Sequence, residues 1–163
     1  VLAPRSRYDE VVEALAGGAS MLPVGDPTDE STVIGPLVSA AQRDRVERYI
    51  KAGRGAGARV VTGGGRPASM AKGWYVEPTV FADVDNSMTI AREEIFGPVL
   101  CVIPYDGIDE AVAIANDSPY GLCGAVWTGD VEKGLDVARQ VRTGTFNARM
   151  EPPAKINSGK LWT

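Results

Sequence analysis

Few residues in this chain are equipped for covalent or acid–base chemistry. It holds two cysteines, Cys101 and Cys123, and no histidine, so neither a Ser-His-Asp triad nor a Cys-His pair can be built from its own residues. The same inventory leaves no zinc-type ligand set. Cys101 lies inside an apolar run, where burial raises the pKa of a thiol and leaves it inert. Cys123 follows Tyr120-Gly121-Leu122 in a second apolar run. Two further stretches invite a functional reading, Gly63-Gly64-Gly65 and the acidic–aromatic segment Glu93-Glu94-Ile95-Phe96-Gly97-Pro98-Val99. The glycine run follows a short strand pattern, as phosphate loops do. No Gly-Lys-Ser/Thr and no helix pattern come after it, so a flexible turn is expected. Gly159-Lys160 fails the same test. In the acidic segment, an ionised Glu94 offers only hydrogen-bond acceptors. Taken alone, it reads as a solvated loop carboxylate and Phe96 as a plug in the core.

The elements that must position these residues follow from periodicity. Val11, Val12, Leu15 and Ala16 mark one face of a helix after Arg5-Ser6-Arg7, weakened at its end by Gly17 and Gly18. Gly25-Asp26-Pro27-Thr28-Asp29 is turn chemistry. Ser39 with Gln42 three positions on predicts a capping box for a second helix. Its apolar stripe is Val46, Tyr49 and Ile50, and glycines at 53, 55 and 57 stop it. Arg59–Thr62 reads as a short strand. Residues 74–81 read as extended, with Pro78 placing them at an edge or bend. Residues 99–105 form a continuous apolar run, expected to be one strand covered on both faces with Pro104 near its end. Ile108, Ala111, Val112 and Ala115 repeat as a helix closed by Asn116-Asp117-Ser118-Pro119. Residues 122–127 form a second buried strand, Asp130 caps a helix carrying Val131, Leu135, Ala138 and Val141, and a third strand begins at residues 144–146. Strand, helix, strand, helix, strand predicts parallel pairing and an α/β fold.

Composition narrows the partners. The 163 residues suit one compact domain or a large piece of one. The 44% apolar and 23% charged fractions are those of an ordinary globular protein. A net charge of −4 gives no electrostatic reason to expect nucleic acid or an anionic membrane surface. No apolar stretch reaches the roughly 18 residues of a membrane span, and no basic leader precedes one. Two cysteines in a charged, Gly-rich chain fit a reducing compartment, so the expected location is cytoplasmic.

The acidic–aromatic segment gains meaning from its neighbours. Gly35-Pro36-Leu37-Val38, Glu77-Pro78-Thr79-Val80, the segment 93–99 and Asn116-Asp117-Ser118-Pro119-Tyr120-Gly121-Leu122 occur in one order and at consistent spacing. In this the chain resembles the NAD(P)-dependent aldehyde dehydrogenase superfamily, over the C-terminal half of its catalytic domain. The resemblance covers residues 1–154, read as a partial catalytic domain with a parallel-sheet α/β fold. Residues 155–163 match nothing and are expected to be a mobile tail.

The resemblance implies a cofactor, NAD or NADP, and a small-molecule aldehyde as substrate. The carboxylate at Glu94 would accept hydrogen bonds from the nicotinamide-ribose hydroxyls, and the ring of Phe96 would flank the nicotinamide. Gly97 and Pro98 would turn the backbone into the following strand. Gln42 and Arg45 align with helix positions that approach the cofactor in some members. A capping glutamine and a solvated arginine are equally good readings of those two. In intact members a cysteine thiolate attacks the aldehyde, hydride passes to the nicotinamide, and a glutamate base activates water to release the acid. Neither Cys101 nor Cys123 matches that nucleophile, and the base has no match either, so no catalytic residue is assigned here. The chain would then supply part of a nicotinamide-ribose site and be inactive alone, associating as a homo-oligomer or with a missing N-terminal half. The alternative is a non-catalytic remnant that binds a partner or itself. A reductase of acyl phosphates or acyl thioesters within the same superfamily is a third option.

Overall fold

A computed structural model describes residues 1–150, and the tail expected over residues 155–163 lies outside the described residues. The chain divides into two compact units, Val1–Pro104 and Tyr105–Thr163.

The first unit opens with β1 (Leu2–Pro4), a single 3-10 turn at Arg5–Arg7, and helix α1 (Tyr8–Ser20). Tyr8, Val12, Ala16 and Ala19 are the buried face of α1. The helix does not weaken at Gly17 and Gly18 as expected but continues through both to Ser20. Each glycine costs a helix about 1 kcal/mol, and the helix carries a whole buried face, Tyr8, Val12, Ala16 and Ala19, to set against that cost. Helix α2 (Ala40–Gly55) begins where its cap predicts, with the Ser39 hydroxyl accepting from the Gln42 amide at 3.1 Å. Val46 and Ile50 are buried on its stripe.

The main sheet of this unit has the order β2 (Arg59–Thr62), β3 (Thr79–Ala82), β4 (Val99–Cys101), with helix α3 (Thr89–Arg92) between the last two strands in sequence. β2 and β3 are antiparallel, while β3 and β4 are parallel. Residues 74–81 were expected to be extended, at an edge or bend, but only Thr79–Ala82 is strand. It is the central one, buried along its whole length. Pro78 stands one residue ahead of the ladder, so its missing N–H disrupts no pairing. The apolar run 99–105 is also not one strand. It breaks at the fully buried Val102, whose amide still donates to Phe81. β5 (Ile103–Tyr105) then pairs with β1. β4 is half-buried rather than covered on both faces. The core gathers Ala3, Tyr8, Val12, Ala19, Val80, Ala82 and Val102. The Tyr8 hydroxyl within it donates to the Val102 carbonyl and accepts from the Asp83 amide.

The second unit holds α4 (Ile108–Asn116), β6 (Cys123–Thr128), α5 (Val131–Gln140) and β7 (Thr145–Met150). β6 and β7 are parallel, joined through α5, whose cap is the Asp130 carboxylate accepting from the Lys133 backbone amide at 3.2 Å. Because β5 pairs with β1, the expected run of three parallel strands is realised among the described residues as the β6–β7 pair. The Asn116 side chain ends α4 by donating to the Gln140 carbonyl and accepting from the Arg142 amide. β6 was also expected to be covered on both faces. It alternates instead: Gly124, Val126 and Thr128 are half-buried, and Cys123, Ala125 and Trp127 are exposed. Helices with parallel and mixed strands make this the α/β class that the periodicity predicts.

Candidate functional site

Residues 93–98 connect α3 to β4 without regular secondary structure. Backbone carbonyls in such a stretch need partners from elsewhere, and α2 supplies them. Arg45 Nη2 donates to the Glu94 carbonyl at 2.8 Å, and Gln42 Nε2 donates to the carbonyls of Ile95 at 3.2 Å and Phe96 at 2.9 Å. Three consecutive carbonyls are thus held by two side chains one helical turn apart. The Ile95 side chain is the buried anchor of the turn. Gly97 lets the chain press against α2, since a Cβ there would fall 2.5 Å from Val46 Cγ2. Pro98 then hands its carbonyl to the Thr79 amide at 2.8 Å, which fixes the entry into β4.

The turn leaves both predicted site residues facing outward. Glu94 is exposed. Phe96 is 68% exposed, so it is no core plug. Its φ of 55° lies in the left-handed region. For a bulky residue that conformation costs about 1–3 kcal/mol and persists only where the surroundings impose it. The surroundings here are the bonds from Gln42 and Arg45. Both residues depart from their simpler readings. Ser39 caps α2, but the Gln42 side chain does not return to Ser39 and reaches the turn instead. Arg45 is partly buried and bonded, with its Nε buried and without a hydrogen-bond partner.

Two participants were not legible as such. Tyr49 reads as part of an apolar stripe, yet its hydroxyl donates to Glu93 Oε2 at 2.6 Å and accepts from Arg45 Nη2 at 3.0 Å. The Arg45 guanidinium also lies 5.1 Å from the centre of the Tyr49 ring. The i, i+4 spacing of Arg45 and Tyr49 was the available signal. Glu93 was read only as part of the segment. These side chains, with Arg48, Ala52 and Thr89, line a shallow cleft of about 250 Å³.

The other candidates are engaged elsewhere. Cys101 Sγ donates to the Ile90 carbonyl at 3.4 Å, and burial pushes its thiol up to about 11. Such a group is almost wholly protonated at neutral pH. Cys123 is exposed on β6. In the glycine turn, Gly63 has φ 69°, and a Cβ there would meet the Pro78 carbonyl oxygen at 2.1 Å. The amides of Gly64 and Gly65 are already given to Thr79 Oγ1 and Glu77 Oε2, so the turn docks on β3 and cradles no phosphate. Among the described residues no helix is long and apolar enough to cross a membrane, and no cluster of His, Cys, Asp or Glu could hold a metal ion. What remains is an exposed carboxylate two residues from an exposed aromatic ring on a pinned turn. That pair can hold a vicinal diol and flank a flat ring.

Comparison with known proteins gives the family of the chain. A sequence model of the aldehyde dehydrogenase family matches residues 1–159. The chain is 60% identical over 145 residues to geranial dehydrogenase of Castellaniella defragrans, covering 89% of this chain and 30% of that protein. It is 46% identical over 155 residues to betaine aldehyde dehydrogenase of Brucella ovis, covering 93% and 32%. Among solved structures it resembles a Mycobacterium tuberculosis aldehyde dehydrogenase complexed with NAD+, with a TM-score of 0.89, 59% identity, and coverage of 92% of this chain and 31% of that one. A mutant aldehyde dehydrogenase C from Pseudomonas syringae, complexed with NAD+ and octanal, gives a TM-score of 0.89 at 50% identity, with coverage of 92% and 31%. The chain therefore spans about a third of the length of the relatives it matches.

Proposed function

The chain belongs to the aldehyde dehydrogenase family, and from that premise we propose that it forms one wall of the nicotinamide site of an NAD(P)-dependent aldehyde oxidation. The observation that carries this reading is the outward presentation of Glu94 and Phe96 on a turn whose three carbonyls are held by α2. Glu94 accepts hydrogen bonds from two neighbouring ribose hydroxyls, a task suited to an ionised carboxylate with no proton to donate. Phe96 flanks the nicotinamide and restricts where the ring can lie. Gln42 and Arg45 hold the turn and thereby both side chains. When bound, NAD(P)+ supplies the hydride acceptor. Similar structures that carry NAD+ support the choice of cofactor.

The thiolate and the general base come from residues outside these 163. Cys101 is committed to the α3 carbonyl at Ile90 and is protonated, and Cys123 stands on the exposed face of β6. The chain alone therefore does not oxidise aldehydes, and its partner in catalysis is the rest of such an enzyme. The substrate is a small aldehyde. A second reading, a non-catalytic unit that associates with itself, is favoured by one feature, the exposure of Leu122 and Trp127 at 86% and 64%.

The test titrates NAD+ into the purified chain and its Glu94→Ala variant, then adds the portion of the Castellaniella relative that the match does not cover. Expected are binding that Glu94→Ala weakens by about tenfold, consistent with losing hydrogen bonds to a charged group, and NAD+-dependent aldehyde oxidation only in the combined sample. Turnover by the chain alone would overturn the placement of the nucleophile elsewhere. Absence of NAD+ binding together with failure to combine would favour the second reading.

A further inference from the structure

The turn that carries Glu94 and Phe96 is strained at Phe96, and its carbonyls are held by two α2 side chains. One of these, Arg45, has few anchors of its own. Its Nε is buried without a hydrogen-bond partner. The hydrogen bonds of Nη2 go to the Glu94 carbonyl and to the Tyr49 hydroxyl, with the Tyr49 ring beneath the guanidinium. A tyrosine hydroxyl rotates freely and offers either its proton or its lone pairs to a neighbour. Here the proton is drawn to Glu93 Oε2 at 2.6 Å. That choice turns the oxygen lone pairs toward Arg45. The path therefore closes on itself: the Glu93 side chain binds Tyr49, Tyr49 binds Arg45, and Arg45 binds the carbonyl of the next residue, Glu94.

We propose that Glu93 is a positioning residue for the nicotinamide site, acting through Tyr49 and Arg45 to hold Phe96 in its left-handed conformation. The inference rests on the reading of Glu94 and Phe96 as cofactor-facing. It assigns the two adjacent glutamates opposite tasks. Glu94 turns its side chain outward and is held by its backbone, while Glu93 is held by its side chain. Without the carboxylate at 93, the Tyr49 proton is free to point elsewhere and Arg45 loses an oriented acceptor. The left-handed state at residue 96 then competes poorly with ordinary backbone conformations.

The experiment uses the isotope-labelled 163-residue chain and NMR. A positive φ gives a strong intraresidue amide–Hα cross-peak, which reports Phe96 directly. The wild type and Glu93→Gln, whose amide oxygen still accepts from Tyr49, are expected to keep this signature. Tyr49→Phe and Glu93→Ala are expected to lose it, while the resonances of Val80 and Phe81 in β3 stay in place. The same two variants are expected to bind NAD+ about tenfold more weakly, the scale of one lost charge-assisted hydrogen bond. An unchanged Phe96 signature in Glu93→Ala, an exposed position where misfolding is no concern, overturns the proposal. So does movement of the β3 resonances along with it. If the signature responds as expected but the wild type binds no NAD+, the brace stands and the cofactor reading falls. If Glu94→Ala alone weakens NAD+ binding, the reverse holds.

Discussion

At the scale of single residues, the site depends on how closely its backbone approaches α2. Gly97 is the point of closest approach, because a Cβ there would lie 2.5 Å and 2.8 Å from the two methyl carbons of the fully buried Val46. Val46 is β-branched and stiff, so it cannot turn aside as a flexible side chain would. Gly97→Ala is therefore expected to destabilise the chain by about 1–3 kcal/mol, the range for overpacking a core. Urea unfolding measures this, and an unchanged midpoint would show that α2 and the turn can separate at no cost. Glu94 and Phe96 stand out in the sequence because four motifs occur in one order, not because either residue is unusual, and the structure adds that both are exposed. The network around them was not legible. A tyrosine on an apolar helical stripe looks like core, and nothing in the residue types says that the hydroxyl of Tyr49 emerges at the carboxylate of Glu93. Side-chain partners distant in sequence, such as Gln42 and Phe96, follow from tertiary packing that periodicity does not encode.

At the scale of elements, α2 is the platform of the site, since Gln42, Arg45 and Tyr49 all project from it. Its first turn is secured by the Ser39 hydroxyl on the Gln42 amide. Replacing an N-cap serine by alanine costs about 1 kcal/mol. Ser39→Ala is expected to lower the unfolding midpoint accordingly and to loosen the turn at Gln42. A calorimetric midpoint equal to that of the wild type would mean that packing of Val46 and Ile50 alone fixes the helix end. Elements with local signals were legible, among them the cap at Ser39, the strand Arg59–Thr62, the helix Ile108–Asn116 and the cap at Asp130. Elements defined by their partners were not. The run 99–105 is uniformly apolar, yet it serves two sheets, because β3 pairs with its first part and β1 with its last. Likewise, α1 passes through two glycines while its Tyr8, Val12, Ala16 and Ala19 face stays buried, a tertiary contribution that local propensity does not show.

At the scale of the whole molecule, the two units differ in how completely their apolar residues are covered. The first buries Phe81, Val46, Val80, Val84 and Val102 almost completely. The second has Gly134 as the buried residue of α5 and none in α4. Its apolar side chains are open instead: Leu122 at 86%, Trp127 at 64%, Val131 at 45% and Leu135 at 39%. On β6, Cys123, Ala125 and Trp127 share one exposed face, whereas the alternate residues are partly covered. A buried tryptophan removes roughly 150–250 Å² of surface from water. At about 25 cal/mol per Å², covering this face is favoured by several kcal/mol before the cost of association is counted. The chain is accordingly expected to associate with itself at micromolar concentrations, with an average mass in sedimentation that rises with loading. Trp127→Ser combined with Leu122→Ser should shift that distribution toward the monomer, since both side chains are mostly exposed and their loss removes little packing within the unit. Adding the uncovered portion of the Castellaniella relative discriminates between causes. If it suppresses self-association and restores oxidation, the open face of β6 is a surface that the complete enzyme covers. If self-association persists beside full activity, the face joins copies of the chain. A monodisperse monomer at every concentration would remove the basis for both.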